Sequence, residues 1–252
     1  MQNPIEYCIV IPCYNEGKKF PSAEYCAFIE SQSNVLICFV NDGSEDNTLE
    51  ILESIKNKFP ERIELVTYSK NSGKAEAVRE GIIHCNKKFN HQHIAFLDAD
   101  LSTSLQECAE LKIYLSGPVC FCFGSRMMRI GAVVQRKYYR FLIGRIIATF
   151  ISNILHLKVY DTQCGCKVFT KDVSEKLFRE KFISRWLFDV EIFFRMIILY
   201  GRNDVLSKMI EVPLKQWIDS GDSKVKFSYF FKLWIDLLKI NHKYKKLIKK
   251  SI

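Results

Sequence analysis

Acidic residues are absent from positions 111 to 160 of this 252-residue chain, a stretch that carries Lys112, Arg126, Arg129, Arg136, Lys137, Arg140, Arg145 and Lys158. With no carboxylate nearby to neutralise them, these charges point to an anionic partner. Long apolar runs are missing too. In the segment beginning at Arg136, "RKYYRFLIGRIIATFISNILHLKVY", the longest uncharged run is the 12 residues 146–157, whereas a bilayer core takes about 20. That excludes a spanning helix there and leaves a core helix or one lying at a lipid interface. The ten cysteines include no CxxC pair, which excludes zinc-ligand spacing and a small disulfide scaffold. Reduced thiols buried in strands are expected instead. His91 and His93 have no partner ligands at a recognisable spacing and receive no metal role. No basic n-region, apolar core and small-residue cleavage site accompany "IEYCIVIPCYN", so a first strand is expected there and not a signal peptide. Recognised nucleic-acid motifs are lacking, and so is the Gly-rich basic loop with which nucleotidyltransferases open; no nucleic-acid partner is expected.

What the chain does contain is a core. Hydrophobic residues make up 48% of it, enough for one sizeable domain. Through residue 126, short apolar runs alternate with longer amphipathic ones. "YCIVIP", "VLICFVND", "IELVTYS", "IAFLDAD" and "VCFCFGSR" read as strands, while "DNTLEILESIKNKF" and "GKAEAVREGIIHCNKK" have helical spacing. This alternation predicts an α/β fold with a mainly parallel sheet covered on both faces. Ligands of such sheets sit beyond the carboxyl ends of the strands. The polar clusters "PCYNEG", "NDGSEDNT", "KNSGK" and "DADLST" follow the first four strands and are expected to converge on one crevice. Each alone could be an ordinary turn.

After residue 126 the alternation fails. From Lys224 onward there are nine lysines and a single acid, Asp236, so this tail holds +8 of the net charge of +9. The domain boundaries expected are therefore 1–223 for the globular part, with an interfacial helical segment at about 136–157, and 224–252 for a basic amphipathic tail. Apolar anchors among lysines suit an anionic membrane surface, where each lysine contributes about 1 kcal/mol. The alternative for the tail is a solvated helix with one core-facing stripe.

Two carboxylates at a strand end, Asp98 and Asp100, need something to offset their charge. A hard divalent cation would do so, because Mg²⁺ typically takes one or two carboxylates plus substrate phosphates. Asp-x-Asp alone is weak evidence for such a site.

The motifs together are more specific. "VIPCYNEG", "VNDGSEDNT", "NSGKAEAVREGI", "FLDADLST", "FGSRM", "DTQCGCKVF", "FDVEI" and "EVPLKQW...GDSKVK", in this order over about residues 5 to 240, resemble the family 2 glycosyltransferases that make polyprenyl-phosphate sugars. The strongest likeness is to the dolichyl-phosphate β-glucosyltransferases and their prokaryotic relatives, with dolichyl-phosphate mannose synthases as cousins. The resemblance implies a GT-A-type Rossmann-like sheet flanked by helices, with amphipathic membrane-interface helices toward the C-terminus. It implies inverting transfer of a hexose, glucose from UDP-glucose in the first instance, to a polyprenyl or dolichyl phosphate. Mg²⁺ or Mn²⁺ would be the cofactor. The protein would lie peripherally on the cytoplasmic side of a membrane, with a second copy or a membrane protein left open as an attachment partner.

Site residues follow from the same resemblance. Pro12, Tyr14, Asn15, Glu16 and Asp42 would hold the base and ribose of the donor, with Asn71 and Lys74 nearby. Asp98 would lie against ribose and metal, and Asp100 would be the principal metal ligand. Arg126, Arg136, Arg140 and Lys224 fall where donor and acceptor phosphates are handled, a task that suits the planar guanidinium fork. Asp161 would orient the acceptor, act as a base, or simply pair with an Arg. Asp189 and Glu191 would bind sugar hydroxyls or pair structurally, and Trp186 and Trp217 are read as core packing. Three positions depart from the pattern: Asn41 replaces the first Asp of the usual "DDGS", Cys166 replaces the Phe of "QCGFK", and Ser102 stands where some mannose synthases have Gln. Two alternatives remain open, a family 2 transferase acting on a saccharide hydroxyl in surface polysaccharide synthesis and a non-catalytic, membrane-associated nucleotide-sugar binder.

Overall fold

The computed structural model describes residues 4–135, 138–219 and 229–250. Its centre is a seven-stranded sheet built from β1 (Tyr7–Cys13), β2 (Val35–Asp42), β3 (Ile63–Tyr68), β4 (His93–Leu97), β5 (Phe121–Ser125), β7 (Cys166–Thr170) and β8 (Met209–Pro213), in the order β3-β2-β1-β4-β7-β5-β8. A small parallel pair, β6 (Val133–Gln135) with β9 (Gln216–Ile218), stands beside it. All neighbours in the large sheet are parallel except β7, which runs antiparallel to both β4 and β5. The mainly parallel sheet expected from the alternation is therefore present.

β1 and β2 are buried along nearly their whole length, which is why they read as continuous apolar runs. Alternate residues supply two cores. Tyr7, Ile9 and Ile11 meet α1 (Ser22–Ser31), α2 (Thr48–Lys58) and α4 (Leu105–Glu110) on one face. Cys8 and Val10 face α3 (Lys74–Lys88), α6 (Lys171–Leu177) and α7 (Phe188–Lys208) on the other. All ten cysteines are free thiols and eight of them are buried.

The chain after Arg126 adds β7 and β8 to the large sheet and three long helices. β7 comes from "DTQCGCKVF", and the reason it escapes a strand reading is Lys167, its second residue, fully buried in the structure. α5 (Tyr138–Leu155) sinks Ile151 and Leu155 into the core while Tyr138, Tyr139, Leu142, Ile146 and Phe150 stay exposed. α8 (Tyr229–Lys250) buries Leu237, Ile240, Tyr244 and Ile248 against the same core as α7. The helical part of the expected basic tail thus packs one face on the domain. No helix among the described residues is long and apolar enough to cross a membrane.

Candidate active site

At the carboxyl ends of β1, β2 and β4 lies a cleft of about 920 Å³. Pro12, Tyr14, Asn15, Glu16, Asp42, Asn71, Lys74, Asp98, Asp100 and Arg126 all line it, and so do Arg185 and Trp186. The four polar loops do converge. Asp161 sits behind Arg126 and does not line the cleft. Arg136 and Lys224 lie outside the described residues, as does the side chain of Arg140 within α5.

The first two loops brace each other. Asn15, with φ 51°, takes the left-handed conformation that Asn tolerates better than most residues. Its Oδ1 accepts from the Glu45 N–H at 2.9 Å, while its own N–H donates to Ser44 Oγ at 3.1 Å. Asp46 accepts from the Gly17 and Thr48 N–H groups, both at 3.0 Å. Burial alone would raise its pKa, but these bonds and the Thr48 hydroxyl hold it below the usual value. Asn41 Oδ1 accepts from the Ser44 N–H at 3.2 Å. An amide closes that turn as well as a carboxylate would, which accounts physically for the departure from "DDGS".

Asp42 shapes the next loop. Its two oxygens accept from Ser72 N–H at 2.7 Å and Gly73 N–H at 2.8 Å. Gly73 has φ 95°, and a Cβ there would sit 2.7 Å from Arg185 Nε, so a side chain is excluded on two counts. Lys74 then opens α3 with its Nζ paired to Asp98 Oδ1. Burial would lower the lysine's pKa, but Asp98 and Asp189 outweigh it and keep the ammonium charged.

The acidic pair is asymmetric. Asp98 is half-buried and pressed against Gly165, where a Cβ would come within 2.0 Å of its Oδ2. Asp100 is exposed, with Oδ1 accepting from the Ser102 N–H at 3.0 Å. Among the described residues there is no cluster of three or more Asp, Glu, His or Cys suited to a metal ion. The donor set therefore fits a hard cation held by one or two carboxylates and completed by phosphate oxygens and water, not an all-protein cage. Asp100 is the more exposed of the two and Asp98 is already paired with Lys74, so Asp100 is the stronger ligand candidate.

Beneath this pair the charges alternate. Lys167 Nζ lies 2.6 Å from Asp189 Oδ1 and donates to the Cys164 carbonyl at 2.6 Å. Burial raises the Asp189 pKa, and the nearby Lys167 and Lys74 offset that rise only in part. Asp98, Lys74, Asp189 and Lys167 thus form a chain of opposite charges running from the cleft into the core. Asp189 is a support, and Glu191 is too: its carboxylate accepts from the Ile183 and Ser184 N–H groups at 2.9 Å.

Arg126 is gripped by Asp161 in a two-point fork, Nε to Oδ2 at 2.7 Å and Nη2 to Oδ1 at 2.8 Å, and its backbone N–H adds a third bond at 3.1 Å. Burial alone would raise the Asp161 pKa; the guanidinium holds it well below the carboxylate range instead. A group so reluctant to take a proton is a poor base, so the geometry favours the Arg-pairing role for Asp161. Arg126 also lies over the Trp217 ring at 5.4 Å. Trp186, read from sequence as core packing, is 38% exposed and borders the cleft.

The family model for glycosyl transferase family 2 matches residues 8–178. The chain belongs to glycosyltransferase family 2. It is 33% identical over 247 residues to dolichyl-phosphate beta-glucosyltransferase ALG5C of Trichomonas vaginalis, covering 92% of this chain and 69% of that protein. The dolichyl-phosphate beta-glucosyltransferase of Saccharomyces cerevisiae is 31% identical, with 86% and 68% covered. Among solved structures, glucosyl-3-phosphoglycerate synthase from Mycobacterium tuberculosis in complex with Mn²⁺ and UDP-glucose superposes with a TM-score of 0.68 at 13% identity, covering 94% of this chain and 79% of that one. That likeness establishes the fold as GT-A-type. The protein is accordingly a glycosyltransferase, and the cleft is its candidate active site.

Arg185 was not singled out by sequence reasoning. Its signal is the "SRW" one residue before "FDVEI", of which Arg185 and Trp186 line the cleft. Gly165 and Lys167 belong to "DTQCGCKVF", and the fold shows why each is there: Gly165 makes room for Asp98, and Lys167 pairs with Asp189.

Proposed function

We propose that this glycosyltransferase moves glucose from UDP-glucose to a dolichyl or other polyprenyl phosphate, inverting the anomeric centre, at an anionic membrane surface on the cytoplasmic side. The observation that carries the reading is the cleft itself, where the Asp98–Asp100 pair and the Arg126 guanidinium line one hollow. The relatives named for glucosyl transfer to dolichyl phosphate, matched over most of the chain, support the choice of sugar and acceptor.

Attack comes from a phosphate-monoester oxygen. Its second pKa is near 6, so the nucleophile is already ionised at neutral pH and no strong base is required. The residues are needed to bring two anions together and to hold them in line. Pro12, Tyr14, Asn15, Glu16, Asp42 and Asn71 form the wall for base and ribose, and Lys74 holds Asp98 in place. Arg126, pre-aligned by Asp161, receives phosphate oxygens, and the family resemblance assigns the same task to Arg136, Arg140 and Lys224. A Mg²⁺ or Mn²⁺ ion on Asp100 and Asp98 would neutralise charge on the departing diphosphate.

Membrane contact is supported by side chains the core leaves out. On α5, Tyr138, Tyr139, Leu142, Ile146 and Phe150 are exposed; on α8, Ile235 and Leu238 are exposed among Lys232, Lys239 and Lys243. The two helices meet where the Phe150 ring packs edge-on against Trp234 at 5.1 Å. Apolar anchors flanked by lysines are what an anionic interface binds.

The test is transfer of labelled glucose from UDP-glucose into the organic phase with a short polyprenyl phosphate and Mg²⁺ or Mn²⁺. Activity in the wild type that disappears in Asp100→Ala supports the reading. Donor binding without turnover would reassign the protein as a binder, and label appearing only on water-soluble saccharides would reassign the acceptor.

A further inference from the structure

Arg185 is exposed at the cleft, yet its head group is spent on backbone: Nε donates to Ser72 O at 2.9 Å and Nη2 to Asn71 O at 3.0 Å. The contact is returned, since the Ala75 N–H donates to the Arg185 carbonyl at 3.2 Å. The loop from Asn71 to Lys74, which carries the lysine paired with Asp98, is thus tied to the turn from Ile183 to Leu187.

That turn is in turn held by α8. Ser184 Oγ donates to Asp236 Oδ2 at 2.9 Å and accepts from the Leu187 N–H at 3.1 Å. Glu191, which takes the Ile183 and Ser184 N–H groups, accepts from the Tyr244 hydroxyl at 3.0 Å. Tyr244 accepts from Arg195 Nε at 3.0 Å and stacks on Phe194 with centroids 5.2 Å apart. Asp236, Glu191, Ser184 and Tyr244 are all buried and none of them lines the cleft.

We propose that Arg185 is a positioning residue for the donor-binding loop, and that α8, acting through Asp236 and Tyr244, is a structural part of the donor site. The inference rests on the nucleotide-sugar reading above and deepens it. It assigns to the C-terminal helix a role in holding the donor, separate from any contact that its outer face makes. Charged, buried hydrogen bonds of this kind resist removal because each leaves a polar partner unsatisfied.

The experiment measures UDP binding in the presence of Mn²⁺ by calorimetry, and kcat and KM for UDP-glucose, in the wild type, Asp236→Asn, Tyr244→Phe, Arg185→Ala and Arg185→Lys. The UDP dissociation constant and the donor KM are expected to rise together, about tenfold or more for Arg185→Ala and about threefold for the α8 variants, with kcat changing less. Arg185→Lys is expected to restore part of the loss. Amide exchange gives a readout independent of turnover. Ser72, Gly73 and Ala75 donate to Asp42 or Arg185, and their exchange is expected to quicken in Asp236→Asn; Ser184→Ala serves in its place if that variant does not fold. Wild-type protein that binds UDP, with variants binding equally and protecting the same amides, overturns the inference alone. Wild-type protein that binds no UDP overturns the nucleotide-sugar reading and the inference with it.

Discussion

Before Arg126 the polar side chains sit on loops at strand ends and face the cleft; beyond it most of them sit under the cleft and face one another. Asp42, Asp46 and Asp100 each accept backbone N–H groups from a loop close by. Lys167, Asp189, Glu191 and Asp236 are buried: Lys167 pairs with Asp189, Glu191 takes the Ile183 and Ser184 N–H groups, and Asp236 accepts from the Ser184 hydroxyl. The first region supplies contacts for a ligand. The second fixes where those contacts stand, because a buried charge admits only the arrangement in which it is paired.

The comparison predicts opposite signatures for mutations in the two regions. Asp100→Ala removes an exposed carboxylate, so thermal stability is expected to hold while transfer falls by about a thousandfold. Loss of folding in that variant would mean that the loop region is structural as well. Lys167→Met reverses the signature. It strands Asp189 without its partner, and loss of about 3–5 kcal/mol in urea unfolding is expected, the usual result of breaking a buried pair. A stable Lys167→Met protein with normal donor affinity would break the contrast.

Gly165→Ala lies on the border between the regions. An added methyl would arrive 2.0 Å from Asp98 Oδ2, so the carboxylate must turn away and loosen its hold on Lys74. Activity is expected to drop by about ten- to thirtyfold with a stability change near 1 kcal/mol. Equal activity with Ala would show that Asp98 has room the structure does not offer.

The first region was legible because its signals are local. Turn residues at the ends of apolar runs mark where strands stop, and parallel topology brings those ends together. Hence the polar loops and the Asp98–Asp100 pair are readable from the sequence itself, while Pro12, Tyr14, Asn71 and Lys74, picked out within those loops by the family resemblance, line the same cleft. The second region depends on partners far apart in the chain. Lys167 interrupts the apolar pattern of β7, and only the fold shows Asp189 neutralising it; nothing near Arg185 in the sequence signals the Asn71 and Ser72 carbonyls that its head group meets. α8 reads as a basic amphipathic tail suited to a membrane surface because its lysines dominate the composition, and the Leu237, Ile240, Tyr244 and Ile248 stripe that packs it matches the core-facing stripe of the alternative reading.

Asp161 distinguishes a group that reacts from one that holds. A general base would titrate near the working pH and impose an acid limb on kcat/KM. Burial tends to raise its pKa, but the Arg126 charge and hydrogen bonds prevail and hold the folded-state value below the ordinary one. The carboxylate's contribution to stability is therefore complete above the unfolded value of about 3.9 and is lost as pH falls from there through the folded value. Asp161→Asn is expected to flatten that part of the acid-unfolding curve and to cut transfer by about tenfold through a looser Arg126. Any limb near pH 6 belongs to the second ionisation of the acceptor phosphate and is expected to persist in the variant. If that limb vanished with the carboxylate, Asp161 would be the base, and the division between the two regions would fail there.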